Sequence, residues 1–532
     1  MSPPAIDARA ADKDAPAPPV PGIDESEPGR LMMLVQLMKK ALGVKDILDM
    51  RISFPASLML PIPNLEFMHF LDRPDMFVAI NDCDDPFERI LALVRFTLSK
   101  DLKLVRTHFG KPYNSILGEH FRAHWDVVPA KSPSEDARVP PVSPSTDATS
   151  VNSRPSIQRA ISSFSTDISS VNSRPSIQSA ISSFSTTGNS PSTAATSLEA
   201  LSTGVSQLSL ARSNEHVRVI YLTEQVSHHP PLSAYYAACP SRSLEMYGIV
   251  QISARISGTA LRVTPGSYNK GIFVNITGGP GAGEEYQLTA PVASVNGLLR
   301  GAAYLTVSES TIISCTGGKQ RFRAIIEYKQ EPWLGRPRFL LEGVIHTVVE
   351  GETQHNEWTK VKHVPQTRVV AVFDGSWRGR IRWRRVGVNS YPDATPPSSP
   401  SPSLATPSIP PASAEEEWST LVDLSTLEPL PKRVRPLEKQ LPRESRRLWE
   451  NLTAKLLRKE FSDATREKVA IEQRQRDEAA ERKRKGQPFV PCYFEKDMDK
   501  GHSTLTAAGR HAVEEELQEA SQYDIEDAHK TA

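Results

Sequence analysis

The spacing of apolar positions changes character several times along the chain. From Pro86 to Leu104 (PFERILALVRFTLSKDLKL), Phe87, Ile90, Leu91, Val94 and Leu98 recur at helical intervals, which predicts a helix with one face on a core. From Val217 to Val388 the pattern turns into short β-branched and aromatic runs: VRVIYL, YGIVQISARISG, GIFVNI, YQLTAP, RFRAIIEY, RFLLEGVIHTVV and RVVAVF. Glycine turns such as GGPGAG (Gly278 to Gly283) separate them, and this spacing predicts an antiparallel meander, sandwich or barrel. In WRGRIRWRR the two-residue period sets Trp377, Ile381 and Trp383 against Arg378, Arg380, Arg382 and Arg384, so one face is expected buried and the other wet and basic. Between Trp418 and about Phe494 the pattern is helical and charged, with Leu448, Leu452 and Leu456 as an apolar stripe.

Three stretches carry neither period. Met1 to about Glu27, about Lys131 to Ser213 and about Asn389 to Glu417 are rich in Pro, Ser, Ala or Thr and poor in large apolar residues, a composition that predicts disorder. The middle one repeats VNSRPSIQRAISSFST at Val151 as VNSRPSIQSAISSFST at Val171. Two copies are too few for a solenoid, so a duplicated linker is expected, with serines open to phosphorylation. The organisation expected is a disordered tail (1–27), one domain (28–498) interrupted by insertions at 131–213 and 389–417, and a polar tail (499–532) with a helix near Glu514.

Composition narrows the function classes. Hydrophobic residues make up 39% of the 532 positions and prolines number 44, which agrees with a partly unfolded chain. With 63 Lys and Arg against 62 Asp and Glu the net charge is +1, too small a field to gather nucleic acid. Cys83, Cys239, Cys315 and Cys492 form no CxxC pair, which argues against zinc and against a secreted disulfide framework and favours a reducing, cytoplasmic setting. The apolar run Leu31 to Leu42 (LMMLVQLMKKAL) is shorter than the ~20 residues of a spanning helix, and the residues before it are Pro-rich and acidic, unlike a signal peptide.

Three strings carry candidate chemistry. In Glu224-Gln225-Val226-Ser227-His228-His229-Pro230-Pro231, adjacent imidazoles followed by two prolines suit an anion clamp, with isolated structural histidines as the alternative. Lys111-Pro112-Tyr113-Asn114-Ser115-Ile116-Leu117-Gly118-Glu119 offers a point charge and an amide, or an ordinary turn. Lys468, Glu472 and Arg476 lie four apart on one helix face, where Glu472 can pair with both cations, as it would in any salt-bridged helix. An esterase built on Ser227 with His228 or His229 is disfavoured, since neighbours make a poor nucleophile and base pair and no GxSxG elbow is present. His120 and His124 lack the glutamate a zincin needs, the chain having Phe121 there. Glu460 to Arg466 imitates a receptor-binding FFAT string but misses it at Ser462 and Arg466.

Taken together, the three strings resemble the oxysterol-binding protein related family of lipid-transfer proteins, whose marker is EQVSHHPP. The resemblance covers Ile52 to Val128, Val217 to Val388 and Trp418 to Phe494, without a pleckstrin-homology module. It implies an α+β fold: a large incomplete antiparallel β-barrel around an apolar lipid tunnel, with an N-terminal lid and flanking helices. It also implies a site for the phosphatidylinositol 4-phosphate headgroup formed by Lys111, Asn114, His228, His229, Lys468, Glu472 and Arg476, with no metal or cofactor. Leu31 to Leu42 would be the lid, with Met32, Met33 and Met38 adaptable to different lipids and Lys39 and Lys40 toward an anionic bilayer, unless it is a plain core helix. The implied activity is exchange of that phosphoinositide for a sterol, or for phosphatidylserine, by a protein peripherally and transiently bound to membranes; a lipid-sensing scaffold is the other reading. Ser115 departs from the family pattern, in which proline is usual, so the loop holding Lys111 and Asn114 is expected to be less rigid.

Overall fold

The computed structural model describes residues 59–106, 111–132, 216–297, 304–332, 336–386 and 418–519. The tail 1–27, the run Leu31 to Leu42, the insertion beyond Ser132 and the insertion 389–417 lie outside the described residues. Two short strands, β1 (Met59–Pro63) and β2 (Lys111–Tyr113), pair in parallel. The remaining strands form a 15-stranded antiparallel sheet. They are β3 (His120–Val127), β4 (Val217–His228), β5 (Pro231–Cys239), β6 (Leu244–Val250), β7 (Ile252–Ser257), β8 (Ala260–Pro265), β9 (Ile272–Ile276) and β10 (Glu285–Leu288). β11 (Val292–Asn296), β12 (Tyr304–Thr316), β13 (Arg321–Tyr328), β14 (Leu340–Val348), β15 (Val369–Ser376), β16 (Arg380–Arg385) and β17 (Ser419–Asp423) complete it. The path runs β17-β16-β15-β14-β13-β12-β10-β9-β6-β5-β4-β3, with β7, β8 and β11 as a side branch on β12. Its two ends, β17 and β3, do not pair, so the barrel is incomplete. The β3 edge is instead met by the chain at 433–444: the His120 N–H donates to the Arg443 carbonyl, and His124 and Arg433 exchange backbone hydrogen bonds.

Helix α1 (Pro86–Ser99) has Asp85 as its cap, accepting the Phe87 N–H at 2.9 Å, and Pro86 at its first position, where a missing N–H costs nothing. The helix is shorter than its apolar pattern suggests, ending at Ser99. A short helical turn, Lys103–Arg106, follows and is held by Asp72, which accepts the Lys103 N–H at 2.7 Å. Nor does α1 bury one face only. Phe87 packs its ring on Phe322 and Trp383 of the sheet, while Phe96 on the other side meets Phe77 of the preceding helical turn (Pro74–Val78). The helix is sandwiched between sheet and turn, and Ile90, Leu91, Leu93, Val94 and Phe96 are fully buried.

Two polar clasps close this end of the barrel. Asn81 donates to the carbonyls of Arg242 and Gly278 and accepts the Gly281 N–H, gripping the GGPGAG turn. Arg89 makes a two-pronged pair with Glu284 (2.8 and 2.5 Å), both residues buried, and Tyr286 donates to the same carboxylate. The WRGRIRWRR reading holds in part: Trp377, Ile381 and Trp383 are buried and Arg380 and Arg382 exposed, but Arg378 and Arg384 are half-buried, stacked over Phe339 and Trp418.

Near the C-terminus, α2 (Glu450–Leu457) and α3 (Phe461–Arg484) pack together through Leu452, Leu456, Ala464 and Ile471. The string at Glu460 to Arg466 belongs to this helical core, with Phe461 and Ala464 packed in it. The stretch expected as a polar tail carries α4 (Ala507–Gln518), capped by Thr506. It docks on the outer face of β3, where Glu516 meets His124 at 2.7 Å and Glu515 meets Arg122 at 2.7 Å.

Replacing Arg89 by Met leaves Glu284 buried without its cation and should cost about 3–5 kcal/mol. R89M is expected to melt well below the wild type in thermal denaturation, and R89M/E284Q to regain part of the loss.

Candidate functional site

β4 and β5 form a hairpin whose register closes at His228 opposite Pro231, leaving His229 and Pro230 at its tip with a cis peptide bond between them. In the regular part of β4, Val219 and Tyr221 face the barrel interior, while Leu222 and Val226 face outward into a cluster with Tyr493 and Phe494. Strict alternation would send His228 outward too. The register slips between Gln225 and Ser227, a bulge of one residue, so Gln225 opposes Ser233 but Ser227 opposes Leu232. Directly opposed residues share a face, and His228 therefore emerges on the inner side with Gln225 and Ser233, while Ser227 goes outward with Leu232.

The Lys111 string supplies the second element. Tyr113 on β2 stacks against Trp449 (ring centroids 5.3 Å) and its hydroxyl bonds Thr453 Oγ1 at 3.0 Å, which seats β2 on α2 and α3. The loop after it is tied to the hairpin: the Gly118 N–H donates to the Gln225 carbonyl and the Gln225 N–H to the Glu119 carbonyl. Gly118 has φ +78°, and a Cβ there would lie 3.2 Å from the Phe489 ring. The Glu119 carboxylate accepts from Ile116 N–H and Ser445 Oγ–H, and burial pushes it up to about 7. Ser115 is buried, and its hydroxyl has no partner among the described residues.

The third element is α3, whose buried face carries Lys468, with its ammonium 2.8 Å from Glu472 Oε1. Glu472 does not bridge both cations as its spacing suggests: Arg476 turns back and donates twice to Gln473 Oε1, at 3.0 and 3.1 Å.

Electrostatics tie these elements together. Burial, then the neighbouring Lys468 charge, pushes Lys111 down to about 8, with Glu472 opposing. Burial and His229 push His228 down to about 4, again against Glu472. The two imidazoles meet edge to face at 4.7 Å, and His228 Nδ1 is buried without a partner among the described residues. Lys111, His228, Lys468 and Glu472 thus share one desolvated neighbourhood, with His229 at its exposed rim. Asn114 is exposed at the loop surface, and Arg476 is half-buried on the helix, bonded to Gln473 rather than joined to the ion pair.

Residues the sequence reading passed over carry the frame. Glu224 is buried, and its carboxylate accepts the N–H groups of Cys492 and Tyr493, each at 2.8 Å, which pins the C-terminal segment to the hairpin. Ser227 and His228 face opposite sides of the sheet, so they make no nucleophile and base pair. Among the described residues no cluster of His, Cys, Asp or Glu is arranged to hold a metal, and no helix is long and apolar enough to cross a membrane.

A family model described as oxysterol-binding protein matches residues 33–162 and 208–521. The chain is 36% identical over 511 residues to oxysterol-binding protein-like protein 1 of Schizosaccharomyces pombe, covering 93% of this chain and 92% of that one. It is 26% identical over 434 residues to human oxysterol-binding protein-related protein 11, spanning 81% of this chain but 44% of the relative. Among solved structures it is similar to the Osh1 ORD domain in complex with cholesterol (TM-score 0.53, 16% identity, 92% of this chain and 90% of that one). It is also similar to the Osh3 ORD of Saccharomyces cerevisiae in complex with PI(4)P (TM-score 0.51, 13% identity, 92% and 95%).

Removing the Glu224 carboxylate strands two N–H donors. E224A should lose about 1–3 kcal/mol in chemical denaturation and raise amide exchange at 492–494, while E224Q, which keeps one acceptor oxygen, should lose less.

Proposed function

Because the chain belongs to the oxysterol-binding protein family, whose members bind and transfer lipids, we propose that it extracts phosphatidylinositol 4-phosphate from one membrane and exchanges it for a second lipid, a sterol. The observation that carries this reading is the company around Glu472. Lys111, His228 and Lys468 gather near one carboxylate, with His229 against His228 at the rim, and that carboxylate already faces Lys468. Such a surplus of basic groups, partly desolvated, suits a polyanion. A monoester phosphate brings about −1.5 to −2 charges and the diester one more.

The position fits an amphipathic ligand. β5 starts at Pro231 beside the histidines and ends at Cys239, next to the Arg242 carbonyl that Asn81 grips. Eight residue steps of strand, about 26 Å, therefore separate the basic cluster from the closed end of the barrel. The inner face between them is aromatic and aliphatic, including Trp125, Tyr221, Tyr235 and Met246. Apolar lipid surface buried there would gain roughly 25 cal/mol per Å², and the basic cluster would select the headgroup. The complexes of the similar ORD domains, one with cholesterol and one with PI(4)P, agree with both halves of this reading. Glu472 holds Lys468 in place and can accept inositol hydroxyl protons.

Liposome exchange assays with phosphatidylinositol 4-phosphate, sterol and phosphatidylserine test the proposal. Phosphoinositide transfer that is lost in H228A/H229A is expected, and the lipid moved in return identifies the second cargo. A wild-type protein that extracts no phosphoinositide would sink the mechanism.

The pH dependence has a definite sign. In the empty site His228 is neutral at pH 7 and Lys111 loses its proton near 8; a bound phosphate favours the charged form of each. Binding therefore takes up protons, and affinity should weaken as pH rises, most steeply above about 8, where the free Lys111 is neutral and the phosphate-bound one still charged. Below about pH 6 the gain should level off as the phosphate takes its own second proton. H228Q should flatten the acid side of the profile in equilibrium binding measurements.

A further inference from the structure

We infer that Arg443 is a positioning residue for the headgroup site, a staple that sets where the second half of α3 stands; its effect on lipid rests on the function proposed above. The buried residues of α3 are Ala464, Lys468 and Ile471, all in its first half. Glu472 and Arg476 come after the last of them, on a stretch without apolar anchorage. Two turns on from Ile471, Glu478 meets Arg443, whose Nη2 donates to Glu478 Oε2 at 2.7 Å.

The other arm of the same guanidinium, Nη1, donates to the Leu117 carbonyl at 2.7 Å. The Arg443 carbonyl accepts the His120 N–H at the start of β3. Its guanidinium lies over Gly118, 3.3 Å from where a Cβ would stand, in the space shared with Phe489. Gly118 is itself bonded to Gln225 of the histidine hairpin. Arg482, one turn along α3, reaches Glu478 at 3.9 Å and sits over the Phe489 ring. One side chain therefore joins the loop bearing Lys111 and Asn114 to α3, and Gly118 carries the linkage on to the strand bearing His228. Lysine cannot reproduce this, because one ammonium lacks the planar fork that serves a carbonyl and a carboxylate in two fixed directions.

R443M, R443K and E478Q test the inference. By amide exchange without lipid, R443M should speed exchange across 472–484 and leave 464–471 as in the wild type; unchanged exchange overturns the staple whether or not the protein binds any phosphoinositide. In binding assays R443M should weaken the phosphoinositide about tenfold, the scale of a partly exposed two-armed contact, with sterol uptake and melting temperature close to wild type. R443K should fall between, and R443M/E478Q should be no worse than R443M. Equal loss of both lipids would reduce Arg443 to a general structural residue and overturn the positioning role. A wild type that binds no phosphoinositide would instead fail the proposed function, with the exchange result still deciding the staple.

Discussion

Charges held close together in a desolvated place are costly, and the end of this barrel gathers Lys111, His228 and Lys468 around a carboxylate, Glu472, that already faces Lys468. The cost is relieved in two ways. Burial first and the neighbouring basic groups second push His228 and Lys111 toward their neutral forms, and neutral backbone contacts hold the elements together. The reciprocal bonds among Gly118, Gln225 and Glu119 and the clamp of Glu224 on Cys492 and Tyr493 are of that kind.

The division of labour inside the eight-residue string follows from this. Glu224 and Gln225 hold structure, Val226 adds the extra residue, and only after that slip does His228 reach the inner side. Pairing Val226 in regular alternation, with no bulge, would leave the histidines in the sequence and turn His228 to the other face of the sheet. The register slip is thus as much a part of the site as the imidazoles.

Much of this was legible in advance. Because a strand with a buried face writes its period into the sequence, each apolar run falls on a strand (β4, β9, β10, β13, β14 or β15), except that YGIVQISARISG, read as one run, divides between β6 and β7. β5, β8, β11, β12 and β17 went unread, β17 in a block expected to be helical, and β3 escaped notice although Phe121, Ala123, Trp125 and Val127 alternate with His120, Arg122, His124 and Asp126. Those residues are covered by α4 and the 433–444 segment, a tertiary fact that no local pattern carries. For the same reason α1 read as one-faced. In the site, the ion pair of Lys468 with Glu472 followed from helical spacing, whereas the turn of Arg476 toward Gln473 depended on a competing amide one turn away. The bulge at Val226 left no mark that alternation alone could detect.

The sheet is open, and an open sheet exposes two rows of unsatisfied backbone groups that invite another strand. On the β3 side the invitation is withdrawn. His120 and His124 spend their outward-facing amides on Arg443 and Arg433, carried by a segment that is not itself a strand and cannot propagate the ladder. The hydrophobic interior can therefore remain accessible to a lipid without leaving this edge free to template fibrous self-association. For an open sheet with an apolar inner face, that irregular border is a safeguard against aggregation.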